Sequence, residues 1–231
     1  MTKVLTHGDD ALKVSGTALN MTSAEFFRRA RERLNFDIPP SLTDASILSQ
    51  TGDFNHEEIV KILAGDKPQR PAAVLIAVVE HDLPTVLLTQ RAEHLSNHAG
   101  QVAFPGGKID ATDASPLDAA LREAEEEIGL ARDFVEPLGY LNVYVTGMGF
   151  RVLPTLARVR PGFELTVNIG EVDDVFEVPL AFLMDPANHK INTKEFRGVQ
   201  RSFYEMPFEE RYIWGATAGI LRGLYERIYF S

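Results

Sequence analysis

The chain has no cysteine among its 231 residues, which excludes both disulfides and thiolate-held metals. Any metal it binds must be held by oxygen or imidazole, and that points to a hard cation. Long apolar runs are missing too: nothing approaches the roughly 18 consecutive apolar residues that a membrane span requires. The opening residues, Met1-Thr2-Lys3-Val4-Leu5-Thr6-His7, lack the apolar stretch of a secretory signal. The expectation is a water-soluble, cytoplasmic protein with no membrane partner. Positive charge is in deficit, 23 Lys and Arg against 33 Asp and Glu, for a formal net charge of -10. That balance argues against binding to nucleic acid, while a metal could still recruit an anionic small molecule locally.

What is present is enough apolar material, 45% of residues, to bury a full core. Phe26, Phe27, Ala30 and Leu34 have helical spacing, with Ser23 as N-cap, and a second short helix is expected from His56 to Ala64. The polar, proline-containing run from Gly65 to Pro71 reads as a linker. This divides the chain into a mostly helical extension, residues 1–70, and a main domain, residues 71–231. Beyond the linker, Val, Ile and Leu cluster in short runs that predict strands at Ala72–Val79, Thr85–Leu88, Leu138–Val145, Val152–Val159 and Asp174–Val178. Ile213 to Ile228 reads as a helix with apolar residues around most of its circumference. The core is therefore mixed α and β.

One helix carries the chemistry. Ser115 is a hydroxyl N-cap, Pro116 stands where a missing N–H costs nothing, Asp118 lies at the third helical position, and Gly129 ends the helix. Leu117, Ala120, Leu121, Ala124 and Ile128 form a core-facing stripe, with Glu123, Glu126 and Glu127 together opposite it and Glu125 flanking it. Like charges at these spacings, near a helix C-terminus, repel one another, and a bound cation would relieve the cost. Taken alone, such a helix reads more simply as a solvated acidic face. Immediately upstream, however, Gln101-Val102-Ala103-Phe104 breaks at Pro105-Gly106-Gly107, and paired glycines let a backbone approach a ligand closely.

Joined to that glycine turn, Arg122-Glu123-Ala124-Glu125-Glu126-Glu127-Ile128-Gly129-Leu130 resembles the Nudix box, the signature of hydrolases that split nucleoside diphosphates linked to another moiety. The family pattern runs glycine, five residues, glutamate, seven residues, then R-E-U-x-E-E-x-G-U, where U is a bulky apolar residue. Here small Ala124 takes one U position, the spacing from Gly107 carries one extra residue, and Asp110 and Asp113 are the nearest acids to the missing early glutamate. Those departures resemble a subgroup similar to coenzyme A pyrophosphatases. The same subgroup has counterparts to Leu87-Leu88-Thr89-Gln90-Arg91, to the run from His98 to Gly107, and to Ile213-Trp214-Gly215-Ala216-Thr217-Ala218.

The resemblance implies an α+β fold, an α/β/α sandwich with a mixed sheet flanked by helices, and Mg²⁺ or Mn²⁺ as cofactor. It implies Glu123 and Glu127 as primary metal ligands, Glu126 joining through a second ion or a water, and Arg122 orienting a carboxylate. The implied substrate is coenzyme A or a derivative, cleaved to adenosine 3′,5′-bisphosphate and 4′-phosphopantetheine. Two other readings stand beside it. One is a pyrophosphatase of ADP-ribose, NADH or nucleoside triphosphates; the other is a silent nucleotide-sensing or partner-binding module, although such modules usually lose the box acids kept here. The general base is either a box glutamate or an acid on a later loop, with Glu171, Asp173 and Asp174 as candidates; the plainer reading of those three is a polar turn before the strand Val175–Val178.

Arg91 can hold a phosphate or make a surface ion pair. His98 can bind phosphate, carry a proton or cap its turn, and Gln101 can orient substrate or serve as a strand-edge amide. Gly106 and Gly107 complete the substrate-binding set. Tyr212 and Trp214 read as core aromatics at a helix start. Residues 1–70 carry no site-like constellation and are left to pack on the core, complete a homodimer or lid the substrate, packing being the simplest.

Overall fold

The apolar run after residue 70 becomes a strand buried on both sides, and the architecture is organised around it. The computed structural model describes residues 22–47, 49, 51–52, 69–95, 98–196 and 199–230; the helix expected over His56–Ala64 lies outside them. In chain order the elements are α1 (Ser23–Arg33), β1 (Thr51–Gly52), β2 (Arg70–Val79), β3 (Thr85–Arg91), β4 (Val102–Ala103), β5 (Gly106–Lys108), α2 (Pro116–Ile128), β6 (Val135–Tyr140), β7 (Tyr144–Val145), β8 (Phe150–Val159), β9 (Val172–Pro179), α3 (Leu180–Leu183), β10 (Lys190–Phe196), β11 (Val199–Phe208), β12 (Arg211–Trp214) and α4 (Gly215–Tyr229).

β2 pairs in parallel with β8 from Arg70↔Phe150 to Val79↔Val159, and antiparallel with β3 and β5. β3 adds β9 and β4, while β8 adds β6 and β7, giving a mixed nine-stranded sheet. Because side chains alternate along a strand, Ala73, Leu75, Ala77 and Val79 of β2 enter one buried cluster with Ala120, Ala124 and Ile128 of α2. Ala72, Ile76 and Val78 enter the opposite cluster, with Phe26, Phe27 and Ala30 of α1 and Leu221, Leu224 and Ile228 of α4. A sheet covered by helices on both faces is the α/β/α sandwich, and burial on both sides is why β2 reads as continuous rather than alternating hydrophobicity.

Three sequence expectations are corrected. The run Leu138–Val145 is two strands, β6 and β7, interrupted at Leu141-Asn142-Val143, and β6 itself bulges at Pro137–Gly139, where Gly139 adopts φ 140 and a Cβ would lie 2.7 Å from Leu34 Cβ. The last helix starts at Gly215, not Ile213: Ile213 and Trp214 are strand residues paired with Met206 and Glu205. The N-cap of α1 is Thr22, whose hydroxyl accepts from Glu25 N, rather than Ser23. The second sheet, β10-β11-β12, was not anticipated; its outer strand, Lys190–Phe196, is too polar to read as a strand. No helix among the described residues is long and apolar enough to cross a membrane.

Candidate active site

The site is set by how α2 is held. Ser115 Oγ accepts from Asp118 N at 3.1 Å, and Gly129, at φ 71, closes the C-terminus with its N–H on Ala124 and Glu125 carbonyls. The helix then packs Ala119, Ala120, Ala124 and Ile128 against the sheet. This orientation differs from the one expected for its glutamates. Glu126 is on the solvated side, with its side chain 55% exposed, but Glu127 is only 3% exposed.

The reason is the glycine turn. Gly106 donates its N–H to Glu127 Oε2 at 3.1 Å. A Cβ on Gly107 would stand 2.5 Å from Glu123 Oε1, so the absent side chain is what lets the backbone lie against both carboxyls. Gly106 has φ 155, and a Cβ there would meet Ala73 O at 2.5 Å. Burial pushes the Glu127 carboxyl up to about 7; the Gly106 N–H and Arg91 oppose the rise, and the charges of Glu123 and Glu171 add to it. Burial raises Glu123 as well, against the lowering effect of its hydrogen bond from Arg122.

Arg122 is the organising cation. Its Nε and Nη2 grip Asp113 at 2.9 and 3.0 Å, a two-pronged pairing, while Nη1 reaches Glu123 Oε1 and Glu126 Oε2, each at 3.0 Å, and Nη2 also donates to Lys108 O at 3.2 Å. Asp113 is thereby held well below the usual carboxylate range, chiefly by the Arg122 hydrogen bonds. Asp110 is a looser neighbour, 3.8 Å from Arg122 Nη2. The two aspartates that replace an expected glutamate thus include the anchor of the box arginine.

Arg91 ends β3 at a register shift between Gln90 and Arg91, which turns its guanidinium toward α2. Arg91 Nη1 lies 3.9 Å from Glu127 Oε1, and Nε is buried with no hydrogen-bond partner among the described residues. His98 and Gln101 are joined to each other, His98 Nδ1 to Gln101 Oε1 at 2.6 Å, in a loop closed by Arg91 N donating to Gln101 O. His98 takes φ 58 there. Among the described residues no hydrogen bond links this pair to the glutamates.

The three later acids separate clearly. Asp173 accepts from Glu93 N at 2.9 Å and Asp174 pairs with Arg211. Glu171 alone of the three acts electrostatically on both Glu123 and Glu127. It lies in the turn before β9, fixed by Asn168, whose Nδ2 donates to Glu171 Oε1 at 3.1 Å and whose N donates to Glu127 O at 2.9 Å. Asn168 was not singled out from the sequence, although Asn168-Ile169-Gly170 carries the signal of a side-chain-closed turn. Trp214 does stand at a helix start, as the N-cap of α4, but it and Tyr212 lie on β12 and neither is a core residue: Trp214 is half-buried and Tyr212 is 39% exposed.

Among the described residues, no three His, Asp or Glu side chains already converge as a metal cage; Arg122 draws Glu123 and Glu126 to itself. The donor set nevertheless suits a hard divalent ion. The charge of both carboxyls is opposed chiefly by burial, with Glu126 adding at Glu123, Glu123 adding at Glu127 and Glu171 adding at both, the condition a cation relieves.

Residues 68–199 match the family model for the NUDIX domain. A protein named "Uncharacterized Nudix hydrolase NudL" from Salmonella paratyphi B is 44% identical over 156 residues, which cover 68% of this chain and 81% of that protein. The Salmonella newport protein of the same name matches to the same extent, 44% over 156 residues, with 68% and 81% covered. Among solved structures, a MutT/nudix family protein from Enterococcus faecalis aligns with a TM-score of 0.43 at 18% identity, covering 71% of this chain and 62% of that one.

Proposed function

The chain belongs to the NUDIX domain family as a hydrolase of diphosphate linkages, and from that premise we propose that its substrate is coenzyme A or a derivative, split to adenosine 3′,5′-bisphosphate and 4′-phosphopantetheine. The observation that carries the reading is the pair of sequences that flank the loop after β3. Leu87-Leu88-Thr89-Gln90-Arg91 on β3 and Gly100-Gln101-Val102-Ala103-Phe104-Pro105-Gly106-Gly107 beyond it resemble the coenzyme A subgroup, and they meet the glutamates through Arg91, Gly106 and Gly107.

Nudix hydrolases use divalent metals such as Mg²⁺ or Mn²⁺, and in this chain Glu123 and Glu127 would hold the ion, with Glu126 reaching it through a second ion or a water. Such an ion neutralises charge on the diphosphate and lowers the pKa of water. Arg91 supplies a guanidinium with an unused donor beside Glu127, suited to a phosphoryl oxygen of the same diphosphate. Arg122, fixed by Asp113, holds Glu123 and Glu126 in place from behind. Glu171, held by Asn168 in the turn before β9 while Asn168 N donates to Glu127 O, is the later-loop acid we assign to accept a proton from attacking water. Gly106 and Gly107 let the backbone lie against Glu127 and Glu123 and so set where a diphosphate would meet the ion, with His98 and Gln101 of the same loop as further substrate contacts.

The test is incubation of the purified protein with Mg²⁺ or Mn²⁺ and a panel of coenzyme A, acetyl-coenzyme A, ADP-ribose, NADH and nucleoside triphosphates, with chromatographic separation of products. Coenzyme A compounds are expected to be cleaved with the highest kcat/KM, and preference for any other panel member would overturn the assignment. Arg91→Ala should lower kcat/KM by about tenfold to a hundredfold, the value of a charged hydrogen bond to phosphate; unchanged kinetics would return Arg91 to a structural role.

A further inference from the structure

The second sheet carries a surface that the hydrolytic chemistry leaves unexplained. On β11 and β12, Met206 and Ile213 are fully buried in the cluster that also contains Val102 of β4. Residues alternating with them turn the opposite way. Tyr212 and Trp214 lie on that outward face, their rings stacked at 6.0 Å and 23°, and Phe203 meets Trp214 edge-on at 5.5 Å. Lys194 Nζ stands 5.7 Å from the Phe203 ring and 5.9 Å from that of Trp214. Glu205, which shares the face, is occupied by the Tyr212 hydroxyl and by Asn192 Nδ2 at 3.0 Å, and both Lys190 and Lys194 act on it electrostatically.

The strand that carries this face is tied to the active-site loop from its inner side, since Arg211 alternates with Tyr212 and lies with Ile213. Thr217, at the start of α4, donates to Val102 O at 2.9 Å, and Arg211 of β12 donates to Gln90 at 2.7 Å. Gln90 in turn holds Gly100 O at 2.6 Å, in the loop of His98 and Gln101.

We propose that the outward face formed by Phe203, Tyr212 and Trp214, with Lys190 and Lys194, binds a purine nucleotide carrying a second phosphate, the base stacking on the rings and the lysines pairing with that phosphate. The proposal rests on the substrate reading above and names the part of the substrate this surface holds. Partly exposed aromatic rings stack bases of any sequence, and lysines in an otherwise acidic protein select an anion rather than an uncharged ring.

Trp214 is the chain's one tryptophan, so its fluorescence reports on this face directly and without metal. Metal-free protein titrated with adenosine 3′,5′-bisphosphate should show saturable quenching, with adenosine binding more weakly. Lys194→Ala should bring the bisphosphate affinity down by fivefold or more, toward that of adenosine. In steady-state assays Phe203→Ser and Lys194→Ala should raise KM by about tenfold while lowering kcat less, with circular dichroism confirming that both variants fold. Absence of quenching, or wild-type KM in both folded variants, overturns the proposal while leaving coenzyme A hydrolysis standing. Quenching by the bisphosphate without coenzyme A cleavage overturns the substrate reading and keeps the surface. If sedimentation shows that Phe203→Ser converts a dimer to a monomer with nucleotide affinity unchanged, the face belongs to a second copy of the chain and the proposal fails.

Discussion

A carboxyl that is 3% exposed and receives a single backbone N–H is costly to ionise, and Glu127 is in that position. Its folded-state value of about 7 exceeds the ordinary 4.5, so the sign of its contribution to stability is fixed. Below pH 4.5 the group is protonated in folded and unfolded chains alike, and nothing is lost. Between 4.5 and 7 the unfolded chain releases a proton that the folded one retains, so metal-free stability falls with rising pH, by about 3 kcal/mol once both are passed. Glu127→Gln removes this dependence. In chelator, its melting temperature should match wild type near pH 4 and exceed it at pH 8. With saturating Mg²⁺ or Mn²⁺ the order should reverse, because only the carboxylate gains from the ion, and turnover should drop by orders of magnitude. A stability difference independent of pH, or near-normal turnover, would show that Glu127 is neither strained nor a ligand.

Adjacent glycines in one turn do different jobs, and the elements they join show why. A Cβ on Gly106 would run into the backbone of β2, at Ala73 O and Val74 Cα, from a φ that side chains rarely adopt. A Cβ on Gly107 meets only the tip of Glu123. Gly106→Ala is therefore expected to destabilise the fold by about 1–3 kcal/mol. Gly107→Ala should leave the melting temperature within a few degrees of wild type and displace Glu123, lowering kcat by as much as about a hundredfold; equal loss of stability in the two variants would contradict this division. Such roles are only half legible in sequence. Ser115, Pro116 and Gly129 announced α2 because caps are local chemistry, and the apolar runs announced β2, β3 and β8 because strands buried on both faces are rich in Val, Ile and Leu. The helical wheel placed Glu127 among the solvated glutamates because it knows nothing of the Gly106 backbone that covers the helix end. The hairpin β10-β11 was invisible for the opposite reason: Lys190, Asn192 and Lys194 face outward and leave little apolar periodicity. Ile213 and Trp214 read as helix, with Tyr212 at its edge, because an apolar sequence running on into α4 conceals where the strand stops.

Composition suggests an extension before residue 70, yet the described part of it is built into the same interior as the sheet. Phe26 and Phe27, 0% and 2% exposed, share a buried cluster with Ile76 of β2, Leu156 of β8 and Leu224 of α4. Arg33 and Arg227 exchange side-chain-to-carbonyl hydrogen bonds at 3.2 and 3.0 Å, locking the end of α1 to the end of α4. Arg151, 3% exposed on β8, gives its three guanidinium nitrogens to Ser41 O, Gln69 Oε1 and Ile47 O, so a central strand also holds the chain that follows α1. A segment whose removal would uncover that much apolar surface cannot unfold alone at low cost. Phe26→Ala is accordingly expected to lower the stability of the entire molecule by about 3–5 kcal/mol, the usual cost of emptying an aromatic site in a packed core. Circular dichroism, which follows the helices, and Trp214 fluorescence, which follows the second sheet, should report coincident transitions in wild type and variant, both moved to the same lower denaturant midpoint. An early transition seen by circular dichroism alone, with Trp214 unmoved, would instead make α1 a separately melting appendage whose contacts contribute little to the catalytic core.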